Sequence, residues 1–248
     1  MSPEDPAARA AALLAQGEAA QAEVLLEEAF AAGLEDARLS FLLGAARHAL
    51  KKLPEALAAF GRALELDPDD VEAARACAAV LLALGRPQEA LARLQPWLAR
   101  CPAETDFLVD AAIALEALGE LEAALARYGE ALTWRRNDFR ALLNRAQLFA
   151  RLGRLEEALA DQRRLVRAWA GSAAAHHNLA DLLLRADRYE EALAACGRAL
   201  ALAPGDARTL MLQGLILAML GRDEEARASF ARARETDAAA ADAYRAAA

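Results

Sequence analysis

Aromatic residues supply only 5% of this 248-residue chain, and it holds three cysteines. Cys77, Cys101 and Cys196 lie far apart with no C-x-x-C pair, which excludes a disulfide or zinc framework and fits free thiols in a reducing compartment. The residues after Met1, Ser2-Pro3-Glu4-Asp5-Pro6, lack the basic and apolar regions of a signal peptide. Long apolar runs are missing too. The most apolar stretch, Leu210 to Leu220, is broken by Gln213 and Gly214 and is too short to span a bilayer. A cytoplasmic protein is expected. Positive charge is in deficit: the net charge of −8 argues against a general affinity for nucleic-acid backbones or anionic membranes. What fills the chain instead is Ala, Leu, Glu and Arg, all strong helix formers, and an all-α fold follows.

The helices repeat. Ala22, Ala56, Ala90, Ala124, Ala158, Ala192 and Ala226 follow one another at intervals of 34 residues. The periods run 3–36, 37–70, 71–104, 105–138, 139–172, 173–206 and 207–240, and residues 241–248 begin an eighth helix with Tyr244. Position 8 of each period is small: Ala10, Gly44, Ala78, Ala112, Ala146, Ala180 and Gly214. A small side chain there lets two antiparallel helices approach closely. Position 15 carries Gly17, Gly85, Gly119, Gly153 and Gly221, residues that end a first helix in the left-handed conformation. Lys51 and Asp187 replace that glycine in two periods and should tolerate the conformation less well. Asp36, Asp70, Asp138, Ser172 and Asp206 stand at position 34, where their side chains cap the next helix. Pro68, Pro102 and Pro204 mark where a second helix stops. Each period therefore reads as helix A at positions 2–14, a tight turn, and helix B at 18–31. Positions 4, 7, 8, 11, 20, 24 and 27 share one apolar face, which a single pair cannot bury alone.

Small at 8, Gly at 15, Ala at 20, large apolar at 24, Ala at 27 and Pro at 32 resembles the tetratricopeptide repeat. Leu43-Gly44, Ala56, Phe60, Ala63 and Pro68 carry the pattern in one period. The resemblance implies a single right-handed α-solenoid of seven tandem repeats, with helix A lining a concave groove that binds a peptide or partner protein. It implies that helix A positions 2, 5, 6, 9, 12 and 13 make the contacts. Those positions are mostly Ala and Leu in the first three periods; polar residues gather in the fourth to seventh. The candidate peptide-binding residues are Asp110, Arg140, Asn144, Gln147, Arg151, His177, Asn178, Asp181 and Arg208. Asn144 and Asn178 share position 6, where an amide offers a donor and an acceptor to one peptide group. The chaperone-type carboxylate clamp is excluded, because Leu143, Gln147 and Leu212 stand where it needs lysine, asparagine and arginine.

Charge is uneven along the periods. Residues 1–36 hold one arginine against eight acids, whereas residues 139–172 hold seven arginines against three. Arg163, Arg164 and Arg167 of that basic period are expected to face solvent, and Arg140 and Arg151 the groove. Trp134, Arg135 and Arg136 interleave aromatic and basic character, but the overall acidity speaks against RNA. His176 falls on the core face beside His177, and neighbours on a helix point about 100° apart, a poor metal pair. No cofactor, metal or catalytic constellation is expected. An uncovered last helix B at the C-terminal end implies one of two things: a longer parent protein, or self-association with another copy. The alternative to a free-standing scaffold is a substrate-recruiting module of a larger bacterial glycosyltransferase, sulfotransferase or hydroxylase.

Overall fold

The computed structural model describes residues 5–237, so Tyr244 and the expected eighth helix lie outside the described residues. Fourteen α-helices and no strand occur among those residues. In chain order they are α1 (Pro6–Ala15), α2 (Ala19–Ala31), α3 (Ala37–Ala49), α4 (Leu53–Leu66), α5 (Val71–Ala83), α6 (Pro87–Arg100) and α7 (Thr105–Ala117). There follow α8 (Leu121–Trp134), α9 (Phe139–Arg151), α10 (Leu155–Ala168), α11 (Ala173–Arg185), α12 (Tyr189–Leu202), α13 (Ala207–Met219) and α14 (Asp223–Thr236). The 34-residue reading puts every helix from α3 to α14 one residue later than it stands. The chain forms two compact units, Met1–Trp134 and Arg135–Ala248. Within each, every helix packs on the next; α1 also touches α3, α5 touches α7, and α11 touches α13. This stacking of helix pairs is the α-solenoid mode of packing.

Local chemistry sets the helix ends. The carboxylates of Asp36, Asp70 and Asp138 accept from the backbone N–H three residues on, at 2.7, 2.9 and 2.9 Å. Ser172 and Asp206 do the same for Ala175 and Thr209. At the other ends the chain closes in the Schellman arrangement, as where Gly153 donates to Ala150 and Arg154 to Phe149. The closing residue takes a positive φ, 74° at Gly153. Lys51 and Asp187 adopt the same conformation, at φ 62° and 56°, with the same bonds. A side chain there costs about 1–2 kcal/mol. Lys51→Gly, at an exposed site, is therefore expected to raise stability by about 1 kcal/mol after the added freedom of the unfolded chain is subtracted. Urea unfolding checks this; an unchanged or lower midpoint would show that the lysine carries no strain.

The small position 8 has the expected geometric reason at both of its glycines. A Cβ on Gly44 would lie 2.6 Å from the Phe60 ring, and one on Gly214 would lie 2.3 Å from the Phe230 ring. Departures from the apolar pattern are absorbed locally. Trp97, at a position that is alanine in five of the other six periods, stacks on Phe107 with ring centroids 5.3 Å apart, and the Arg100 guanidinium lies 5.1 Å from the Trp97 ring. Arg145 reaches Asp161 on α10 through two bonds of 2.7 Å, and Gln213 accepts from Ser229 on α14 at 3.1 Å.

Candidate functional site

Within the second unit, α9 and α11 frame a cleft of about 390 Å³. Its lining follows helical spacing: Ala146, Gln147, Ala150 and Arg151 form one stripe on α9, and Asn178, Asp181, Leu182 and Arg185 form another on α11. Ala146, Ala150 and Leu182 give an apolar floor, and the remaining side chains project donors and acceptors around it. Arg185 Nη2 donates to the Ala150 carbonyl at 2.6 Å. That bond satisfies a carbonyl in the last turn of α9 and sets positive charge where the helix dipole favours it.

Two polar side chains secure the walls from behind. Gln162, from α10, is 1% exposed and donates through Nε2 to the Ala175 carbonyl at 2.7 Å. His177 Nδ1 lies 2.9 Å from Thr209 Oγ1, and the Thr209 hydroxyl in turn donates to Asp206. Asp206 is the same residue that caps α13. Burial holds the His177 pKa below its ordinary value; Asp206 and Asp181 act against that shift and Arg208 with it. His176 points elsewhere: its Nε2 bonds the Ala170 carbonyl at 3.1 Å, while buried Nδ1 has no partner. The expected buried histidine is thus only half satisfied.

Of the residues singled out in the sequence, Gln147, Arg151, His177, Asn178 and Asp181 come together in this cleft. Asn144, one turn before Gln147 on α9, and half-buried Arg140 are outside its lining. Arg208 is exposed, 3.7 Å from Asp206, and acts on the cleft through its charge on His177. Asp110 belongs to the first unit, where it is buried and accepts from Arg75 Nε at 2.9 Å, with Asp106 3.4 Å from the same guanidinium. Of the three arginines expected to face solvent, Arg167 is exposed; Arg163 pairs with Glu191, and half-buried Arg164 donates to Asn137. Gln162, Arg185, Thr209 and Asp206 complete the site. Gln162 carried a visible signal, a polar residue at position 24, where other periods hold Leu26, Phe60, Leu94, Tyr128, Cys196 and Phe230.

A second hollow, of about 280 Å³, lies between α10, α11 and α12 and is lined by Arg163, Val166, Arg167, Leu179, Leu183 and Arg198 among others. Among the described residues no cluster of three or more His, Cys, Asp or Glu is placed to hold a metal ion. No described helix is long and apolar enough to cross a membrane.

Family models of the tetratricopeptide repeat match residues 7–71, 47–114, 109–173 and 171–239. A comparison with curated proteins finds no match. Solved structures of similar fold include a tetratricopeptide repeat protein from Parabacteroides merdae, with 20% identity, a TM-score of 0.69, and coverage of 94% of this chain and 93% of that one. A thermophilic TPR protein of Thermus thermophilus is 28% identical, with a TM-score of 0.59 over 73% of this chain and 99% of that one. YrrB, described as a TPR protein with an unusual peptide-binding site, is 18% identical, with a TM-score of 0.59 over 73% of this chain and 93% of that one.

Proposed function

The chain belongs to the tetratricopeptide-repeat family, and on that premise we propose that it is an interaction scaffold whose α9–α11 cleft holds a peptide segment of a partner protein. The observation that carries this reading is the convergence of Gln147, Arg151, His177, Asn178 and Asp181 around an apolar floor. The amides of Gln147 and Asn178 each offer a donor and an acceptor, which suits a peptide group. Arg151 and Arg185 suit carbonyl or carboxylate oxygens, and Ala146, Ala150 and Leu182 suit an apolar side chain. A peptide ligand also agrees with the unusual peptide-binding site of YrrB. A scaffold rather than an enzyme fits the state of the two buried thiols: burial pushes Cys77 up to about 11 and Cys196 up to about 12, far from the thiolate a nucleophile needs.

Polar contacts alone do not suffice. Each neutral hydrogen bond nets roughly 0.5–1.5 kcal/mol, and micromolar affinity needs about 8. The apolar floor must contribute much of the difference, which favours a ligand with an aliphatic or aromatic side chain between its polar contacts. A peptide array probed with the wild-type chain and with an Asn144→Ala, Asn178→Ala double variant tests the reading. Adding Gln147→Ala to that variant removes both cleft amides, and hits are expected to weaken about tenfold or more. Full retention of affinity for every hit in the triple variant would remove the amides from recognition.

A further inference from the structure

The cleft's histidine is held in one tautomer. The Thr209 hydroxyl has a single proton, and it goes to Asp206, because an ionised carboxylate only accepts. The Thr209 oxygen is then the acceptor toward His177, so the proton between them sits on Nδ1. A neutral imidazole carries one N–H, which leaves Nε2 as a bare lone pair on a ring that lines the cleft. Among the described residues, no protein donor is bonded to Nε2.

We propose that His177 Nε2 accepts a hydrogen bond from an uncharged N–H of the bound segment, a backbone or carboxamide group, and that Thr209 and Asp206 are positioning residues that fix its tautomer. This rests on the reading of the cleft as a peptide site. The charges around the ring select the class of donor. Asp181 and Arg185 come from α11, Arg151 from α9, and Asp206 and Arg208 from the start of α13; α10 adds uncharged Gln162, and α12 contributes nothing to the cleft lining. Two arginines against one carboxylate inside the cleft disfavour a cationic ligand group. An anion, for its part, finds no donor at Nε2. Burial keeps the ring neutral in neutral solution. As pH falls through the lowered pKa, Nε2 gains a proton and meets the ligand N–H as donor against donor, so binding weakens.

The test uses the full chain and a randomised 12-residue peptide display library selected at pH 7.5. Binders that lose affinity with Asn178→Ala are then titrated from pH 7.5 downward, past the His177 pKa located by imidazole nitrogen NMR shifts. Wild-type affinity is expected to fall about tenfold at one pH unit below that pKa. His177→Gln, which offers an acceptor oxygen at every pH, is expected to give a flat profile. Thr209→Val is expected to weaken binding at pH 7.5 and to turn the single His177 tautomer, read from imidazole nitrogen NMR shifts, into a mixture. Wild-type binding that is unchanged or tighter below the measured His177 pKa, or a His177→Gln profile like wild type, overturns the proposal while leaving the peptide site standing. A wild-type spectrum showing the proton on Nε2 does the same. Failure to select any cleft-dependent peptide overturns the peptide reading and this proposal together.

Discussion

Asp161→Ala is expected to cost about 3 kcal/mol of stability, the low end of the range for removing one partner of a buried ion pair. The carboxylate is buried and takes both guanidinium bonds of Arg145 at 2.7 Å, with side-chain exposures of 20% for the arginine and 7% for the aspartate. Without it, Arg145 is left between α9 and α10 with, among the described residues, the Phe149 ring 5.6 Å away to favour its charge. The partial exposure of the arginine places the cost at the low end. The same two positions show a second solution elsewhere in the chain, Leu43 with Ala59 and Leu179 with Ala195. Leu43 and Ala59 sit together in one apolar cluster. Adding Arg145→Leu to Asp161→Ala copies that solution and is expected to recover most of the loss, since exchanging a whole buried pair for apolar residues is often neutral. Urea unfolding of the two single variants and the double variant measures the coupling. A single variant costing under about 1 kcal/mol would contradict this account of the pair, as would a double variant no better than Asp161→Ala.

Gly44→Ala is the second large effect, and its sign opposes ordinary helix propensity. Alanine in a helix interior normally gains about 0.5–1 kcal/mol over glycine. Here the new methyl would stand 2.6, 2.7 and 2.9 Å from three atoms of the Phe60 ring. That ring is 4% exposed and leans on Phe41 at 5.3 Å, so it has little room to retreat. Overpacking of this kind costs about 1–3 kcal/mol, and a net loss is expected. Periods with alanine at the equivalent position include Ala10 and Ala78, which face Leu26 and Leu94 in place of the phenylalanine. Gly44→Ala combined with Phe60→Leu should therefore unfold at higher urea than Gly44→Ala alone. A gain in stability from the single substitution would show that α3 and α4 do not approach as closely as the structure has them.

Helix existence and helix ends were legible in the sequence because they depend on local chemistry at a fixed period. Asp36, Asp70, Asp138, Ser172 and Asp206 cap the helices they precede. The position-15 residues close their turns at positive φ, including Lys51 and Asp187, where residue type argued against it. Five of the candidate residues share the cleft because they lie at helical spacing on α9 and α11. The residues that escaped notice act across helices. Thr209 stands at an unremarkable place in its period and matters only because its hydroxyl bridges Asp206 and His177. Asp161 matters only because Arg145 stands opposite. Periodicity reports what each position does on average, whereas such pairs are exceptions on two helices at once, and one residue alone does not announce its partner.

The central claim, a peptide held between α9 and α11, is tested most directly by methyl NMR of the full chain titrated with a selected peptide. The alanine and leucine methyls of Ala146, Ala150 and Leu182 are expected to shift together in proportion to bound peptide, because they form the floor of the cleft. Shifts confined to Leu179, Leu183, Ala194 and Ala195, on the hollow beside Arg163 and Arg198, would place the ligand on the opposite side of α11 and contradict the claim.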